Sequence, residues 1–197
     1  MKVQKKIQTM VIAALLCAIG IVIPMFCPKI ILEPASFTLA SHVPLFMAMF
    51  ISLPVSLIVC LGTTVGFFFA GFPPVVVLRA LSQIVFVVLG AWILQKKGNL
   101  VGKPLSSIAF SFVMGLIHGV CEMLVSTAFY FGGSAAEGSS YMMTVVVLVG
   151  VGTLIHSMVD YGIAVVVWRA VQKVVTVPVS VHLGKKARVS QEFATHN

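Results

Sequence analysis

The chain has 197 residues, of which 59% are hydrophobic and only 9% charged, with a mean hydropathy of +1.11. A soluble domain of this size does not have that composition, and long apolar runs with so few charges indicate transmembrane helices. The formal net charge of +8 does not indicate nucleic acid, because the cations sit in short loops and tails, where they orient a membrane protein.

The first eight residues carry Lys2, Lys5 and Lys6 and are expected on the cytoplasmic side. Span 1 is predicted over about Ile7–Phe26. It contains Ala14 and Ala18, small residues one turn apart that let another helix approach closely. Cys27 follows an apolar run, but Phe26 precedes it where a lipoprotein signal needs a small residue, so span 1 is expected to be retained. A polar break over residues 27–36 contains Pro28, Lys29, Glu33 and Pro34. Span 2, about Phe37–Leu53, is interrupted by Ser41, His42 and Pro44. A broken, polar helix is tolerated in a membrane where it lines a cavity or packs on protein. Ser52-Leu53-Pro54 is a tight turn, and span 3 follows over about Val55–Ala70.

Gly71 to Pro74 turns the chain into span 4, which runs to about Gln95 and carries Arg79 within its apolar run. A guanidinium stays charged, and placing it in hydrocarbon costs about 2.5–3.5 kcal/mol on insertion scales. Its partner is an anionic ligand, an internal carboxylate such as Glu122, or water in a cavity. Lys96–Lys103 is a basic loop. Span 5 covers about Pro104–Phe131, a flexible polar loop covers 132–140, and span 6 covers about Tyr141–Trp168. Residues 1–170 thus read as one six-helix, all-α membrane domain, and residues 171–197 as a basic cytoplasmic tail. Reading residues 37–70 as a single span would turn the 96–103 loop outward, against the positive-inside rule. With six spans both termini are cytoplasmic, and Lys29 is the outward-facing loop cation.

Two spans carry a matching pattern. Leu116-Ile117-His118 is followed by Glu122, and Leu154-Ile155-His156 by Asp160. In each, the acid lies four residues after the histidine on the same helix face. By position along their spans, Arg79, His42 and Glu122 fall in the outer half, with His118 and His156 near the midplane. Asp160 falls in the inner half, where it pairs with His156 or serves structure alone.

Enzyme signatures are missing. No G-x-S nucleophile context lies within a predicted span, since Gly132-Gly133-Ser134 and Gly138-Ser139-Ser140 fall in the polar loop, and there is no paired intramembrane aspartate motif, no H-E-x-x-H and no Walker A motif. Cys17, Cys27, Cys60 and Cys121 form no C-x-x-C pair, so they read as small buried hydrophobes and not as zinc ligands. No enzyme activity, cofactor or metal site is expected in this chain.

The segments GIVIPMF, EPASFTLASHVPLFMAMFIS, GFPPVVVLRALSQ and LIHSMVDYG resemble the substrate-binding S components of energy-coupling factor (ECF) transporters that handle small vitamins. The likeness covers residues from about 7 to 170. It implies a bacterial cytoplasmic-membrane protein that binds a vitamin from outside. It also implies docking on a membrane coupling subunit (T), itself bound to two ATPase subunits that use the ATP. Ala14 and Ala18 match the Ala-x-x-x-Ala coupling face of the family, and residues 27–36 match the loop that covers its pocket. The amino-terminal metal-binding histidine of the nickel and cobalt members is missing after Met1-Lys2-Val3, which disfavours metal uptake. Arg79 with His42, Glu122, His118 and His156 is the expected substrate site. An arginine fork suits a carboxylate, so niacin leads, with pantothenate next. The rival functions are a stand-alone small-solute carrier, for which no 3+3 inverted repeat is visible, and a structural assembly protein.

Overall fold

The computed structural model describes residues 2–32, 35–134, 138–173, 179 and 181–183. Residues 135–137 of the expected 132–140 loop and most of the basic tail lie outside these residues. The described chain is helical apart from one small hairpin.

Helix α1 (Lys2–Phe26) is a continuous apolar rod containing Pro24. The break after it is not a plain loop. Strands β1 (Lys29–Leu32) and β2 (Ala35–Thr38) pair antiparallel, with Lys29 opposite Thr38 and Leu32 opposite Ala35. The two connecting residues, 33 and 34, lie outside the described ones. A turn over residues 39–42 leads into α2 (Val43–Ile51), which has Pro44 in its first turn and is nine residues long. The expected span 2 over Phe37–Leu53 is thereby corrected. Ser41 and His42 do not interrupt a helix but precede one, because proline suits the first turn of a helix and not its interior. At 1.5 Å per residue α2 extends about 14 Å, roughly half of a ~30 Å hydrocarbon core.

Ser52 joins α2 directly to α3 (Leu53–Phe69), and its side chain accepts the Val55 N–H at 3.4 Å to cap the new helix. Expected span 4 is two helices, α4 (Pro74–Ser82) and α5 (Ile84–Lys96), joined at Gln83. Helix α6 (Pro104–Phe129) follows a short 3₁₀ turn. The final rod starts as a wider π-helical segment, Met142–Val151, and continues as α7 (Gly152–Val171). Residues 6–26, 74–96, 104–133 and 142–171 are each apolar and long enough to cross a membrane, and α3 is a shorter apolar helix.

The interior is aromatic at its centre. Phe46, Phe50, Phe86 and Trp168 are fully buried, with Tyr161 edge-on to Phe46 at 5.3 Å. Large apolar side chains such as Leu15, Val65, Leu124 and Val166 are exposed on the outside, as lipid requires. Helix α6 approaches the π-helical segment closely. A Cβ on Gly119 would sit 2.8 Å from the Gly150 carbonyl oxygen, so the contact needs glycine there. Past α7 the chain returns to the bundle. Val181 is fully buried, its N–H donates to the Phe50 carbonyl at 3.1 Å, and its carbonyl accepts from the Trp168 indole at 3.1 Å.

Candidate functional site

Four elements supply one polar cluster in the apolar bundle. The turn before α2 brings Ser41 and His42, α4 and its end bring Arg79 and Gln83, α6 brings His118 and Glu122, and α7 brings Thr153, His156, Ser157 and Asp160. Helical periodicity aligns the groups on each rod. Arg79 and Gln83 are four apart, and so are His118 and Glu122. On α7 the spacing 153, 156, 157, 160 makes a single stripe.

Glu122 is the partner of Arg79. Nη2 of the guanidinium donates to Oε2 at 2.7 Å, and the Thr153 hydroxyl donates to the same oxygen at 2.7 Å. Of the alternatives left by the sequence, an internal carboxylate is therefore present. The pairing does not exhaust the guanidinium, which has five N–H donors in all. Its Nε is buried and has no hydrogen-bond partner among the described residues. His118 lies 3.3 Å from the other Glu122 oxygen through Nε2, without hydrogen-bond geometry, while its Nδ1 meets the Ser157 hydroxyl at 2.7 Å. The His118 ring is fully buried and stacks on Phe86 at 4.6 Å.

His42 links this half of the cluster to the next. Its ring meets His118 edge-on at 4.7 Å and His156 at 5.0 Å. Its Nδ1 is 3.1 Å from Asp160 Oδ2, and its Nε2 is 3.2 Å from the Gln83 amide nitrogen. Asp160 does more than pair with His156, whose Nε2 lies 3.2 Å away. Its two oxygens accept the backbone N–H of Ala40 and of His42, each at 2.8 Å. These donors precede a helix whose own first turn cannot satisfy them. Ala40 has φ +68°, left-handed backbone that a non-glycine residue adopts at some cost, and the Asp160 bond holds it there. The separation of Asp160 from His42 expected from their positions along the spans is thus corrected, because α2 is short and begins only after His42.

A cavity of about 110 Å³ opens beside the cluster. Arg79, Gln83, Glu122, Ser41, His42, Thr153 and His156 line its polar side, Phe37, Phe67 and Phe72 its aromatic side, and Lys29 of the hairpin also borders it. The expected residues Arg79, His42, Glu122 and His156 all border it, whereas His118 backs them from behind. Ala14 and Ala18 are elsewhere, exposed on α1 among other exposed apolar residues such as Val11 and Leu15. Sequence reasoning missed Gln83, Thr153 and Ser157 as members of the cluster. Their signal was helical spacing within otherwise apolar runs: Gln83 is four after Arg79, Thr153 three before His156, and Ser157 three before Asp160.

No family model matches the chain, and no solved structure matches it. A curated relative, the niacin transporter NiaX of Lactococcus lactis subsp. cremoris (strain MG1363), is 41% identical over 160 residues. The match covers 81% of this chain and 72% of the relative. That relative is named as a transporter. Its similarity agrees with the niacin-type S-component resemblance of residues 7–170, and the apolar rods make the chain a multi-pass protein of the cell membrane. At this identity and coverage, the chain belongs to the family of the niacin transporter NiaX.

Proposed function

We propose that the chain is the substrate-binding S component of an ECF-type, ATP-driven importer and captures niacin, as the nicotinate anion, from outside. The observation that carries this reading is Arg79, whose buried Nε has no protein partner at the wall of a small aromatic-lined cavity. A carboxylate can take the donors that Glu122 leaves free, and Phe37 and Phe72 offer faces to a pyridine ring. Lys29 adds a second cation at the hairpin side. The cavity, at about 110 Å³, is well below the ~300–1,000 Å³ typical of drug-sized ligands. That favours niacin over the longer pantothenate, and the 41% identical niacin transporter supports the same choice. In this reading the chain crosses the membrane six times with both ends cytoplasmic, and the hairpin covers the cavity on the outer side.

Isothermal titration of the purified protein tests the ligand. Nicotinate is expected to bind at least ~10-fold more tightly than nicotinamide, since a hydrogen bond to a charged group contributes about 1.5–3 kcal/mol. Equal affinity for acid and amide would remove the anion from the reading.

The coupling partner is a membrane T subunit with two ATPases, docked on the α1 face that carries Ala14 and Ala18. Replacing both with tryptophan is expected to abolish uptake and co-purification with the ATPases while nicotinate still binds the isolated protein. Uptake that survives the double substitution would place the coupling face elsewhere.

A further inference from the structure

The geometry points to a metal site in the polar cluster: His42, His156 and Asp160 hold a divalent transition-metal ion of the zinc class, with an open coordination position facing the cavity. Three ligand atoms already converge. Asp160 Oδ2 lies 3.1 Å from His42 Nδ1 and 3.2 Å from His156 Nε2, and the ligand atoms of the trio all lie within 4.8 Å of one another. Metal–ligand bonds of ~2.0–2.1 Å in a tetrahedron place neighbouring ligands about 3.3 Å apart. The observed separations therefore fit one ion with little movement. Two imidazoles and one carboxylate are a donor set that suits zinc.

The surroundings hold these ligands in place. Both oxygens of Asp160 accept backbone N–H groups, which fix the carboxylate. The Gln83 side-chain amide sits 3.2 Å from the far nitrogen of His42. With the amide turned to present its oxygen, it would accept the Nε2–H of a His42 bound to metal through Nδ1, the outer partner such histidines usually have. His42 and His156 border the cavity, so the fourth position opens toward it. A second trio, His42, His118 and Glu122, is also close enough to hold an ion. There, however, the Glu122 carboxylate is already charge-paired with the Arg79 guanidinium through Oε2.

Charge gives an independent reason, and this step rests on the nicotinate reading. Arg79 and Glu122 pair with each other, and among the described residues the ion-pair neighbours of the Asp160 carboxylate are His42 and His156, with no Lys or Arg, so its negative charge is left without a permanent cation beside it. An anionic ligand entering next to it would be repelled. A divalent ion turns that net charge positive and offers an inner-sphere position to a carboxylate or a pyridine nitrogen.

The test uses the full-length protein in detergent, treated with EDTA, dialysed and titrated with Zn²⁺ alone, with bound metal read by mass spectrometry. One equivalent per chain is expected. His156→Ala and Asp160→Asn are each expected to weaken zinc binding at least 10-fold, while a His182→Ala, His196→Ala double variant keeps it. Because the site variants can fail to fold, Co²⁺ loaded into the wild-type protein supplies a second readout. A tetrahedral nitrogen–oxygen absorption spectrum supports the site, and an aqua-ion spectrum overturns it. Sub-stoichiometric zinc, or zinc affinity unchanged in His156→Ala and Asp160→Asn, also overturns it, whatever nicotinate does. Stoichiometric zinc lost in those variants, with no nicotinate binding in either metal state, upholds the metal site and removes the nicotinate reading instead.

Discussion

Arg79→Ala is expected to lower stability by about 3–5 kcal/mol, the range for breaking a buried ion pair from one side. The loss comes from Glu122, which stays charged and nearly buried with only the Thr153 hydroxyl and the His118 ring beside it. Nicotinate affinity is expected to fall by a further ~2–5 kcal/mol, since the anion loses its fork. A double variant, Arg79→Met with Glu122→Leu, separates the two effects. Apolar replacements of similar volume are often neutral or stabilising at buried pairs, so folding should recover while nicotinate binding does not. Detergent unfolding titrations and calorimetry on the three proteins read both quantities. Wild-type nicotinate affinity in the double variant would reduce Arg79 to internal glue between α4 and α6.

Asp160→Ala is the second large effect. It removes the acceptor of two backbone N–H groups, Ala40 and His42, and the neighbour of two imidazoles. Each buried donor left unsatisfied costs about 1–3 kcal/mol, so a loss of about 3–5 kcal/mol in unfolding titrations is expected. Ala40 would lose the bond that holds its left-handed conformation. Asp160→Asn keeps one carbonyl oxygen and is expected to lose about half as much. An alanine variant as stable as the parent would show that the turn before α2 holds itself.

The apolar helical rods were legible because their signals are local. Runs of hydrocarbon side chains, Pro74 and Pro104 at helix starts, and Gly71 in a left-handed turn mark their ends. The i, i+4 pairs His118–Glu122 and His156–Asp160 were legible for the same reason. What escaped depends on tertiary placement. Residues 27–36 read as a polar break because strands of four residues have too few positions to show alternation. The break at Gln83 has no glycine or proline to announce it. His42 was set apart from Asp160 because residues 37–53 were counted as one straight span. That error alone separated Asp160 from the partners it holds.

The short reach of α2 has an electrical meaning. Helices α2 and α3 leave the same end at Ser52, but α3 has 17 residues and α2 only nine. With the six spans and cytoplasmic ends proposed above, the cluster that α2 carries at its far end falls about halfway through the hydrocarbon. In the proposed orientation, an anion arriving from outside moves part of the way down an inside-negative membrane potential, against it. A full charge crossing is worth ~2.3 kcal/mol per 100 mV, so half the depth amounts to at most about 1 kcal/mol per 100 mV. Capture of an anion by this chain is then a voltage-dependent step, weaker in a polarised cell than in a detergent micelle, and a cation that entered from outside together with the anion would cancel that penalty, whereas one already resident at the site would not.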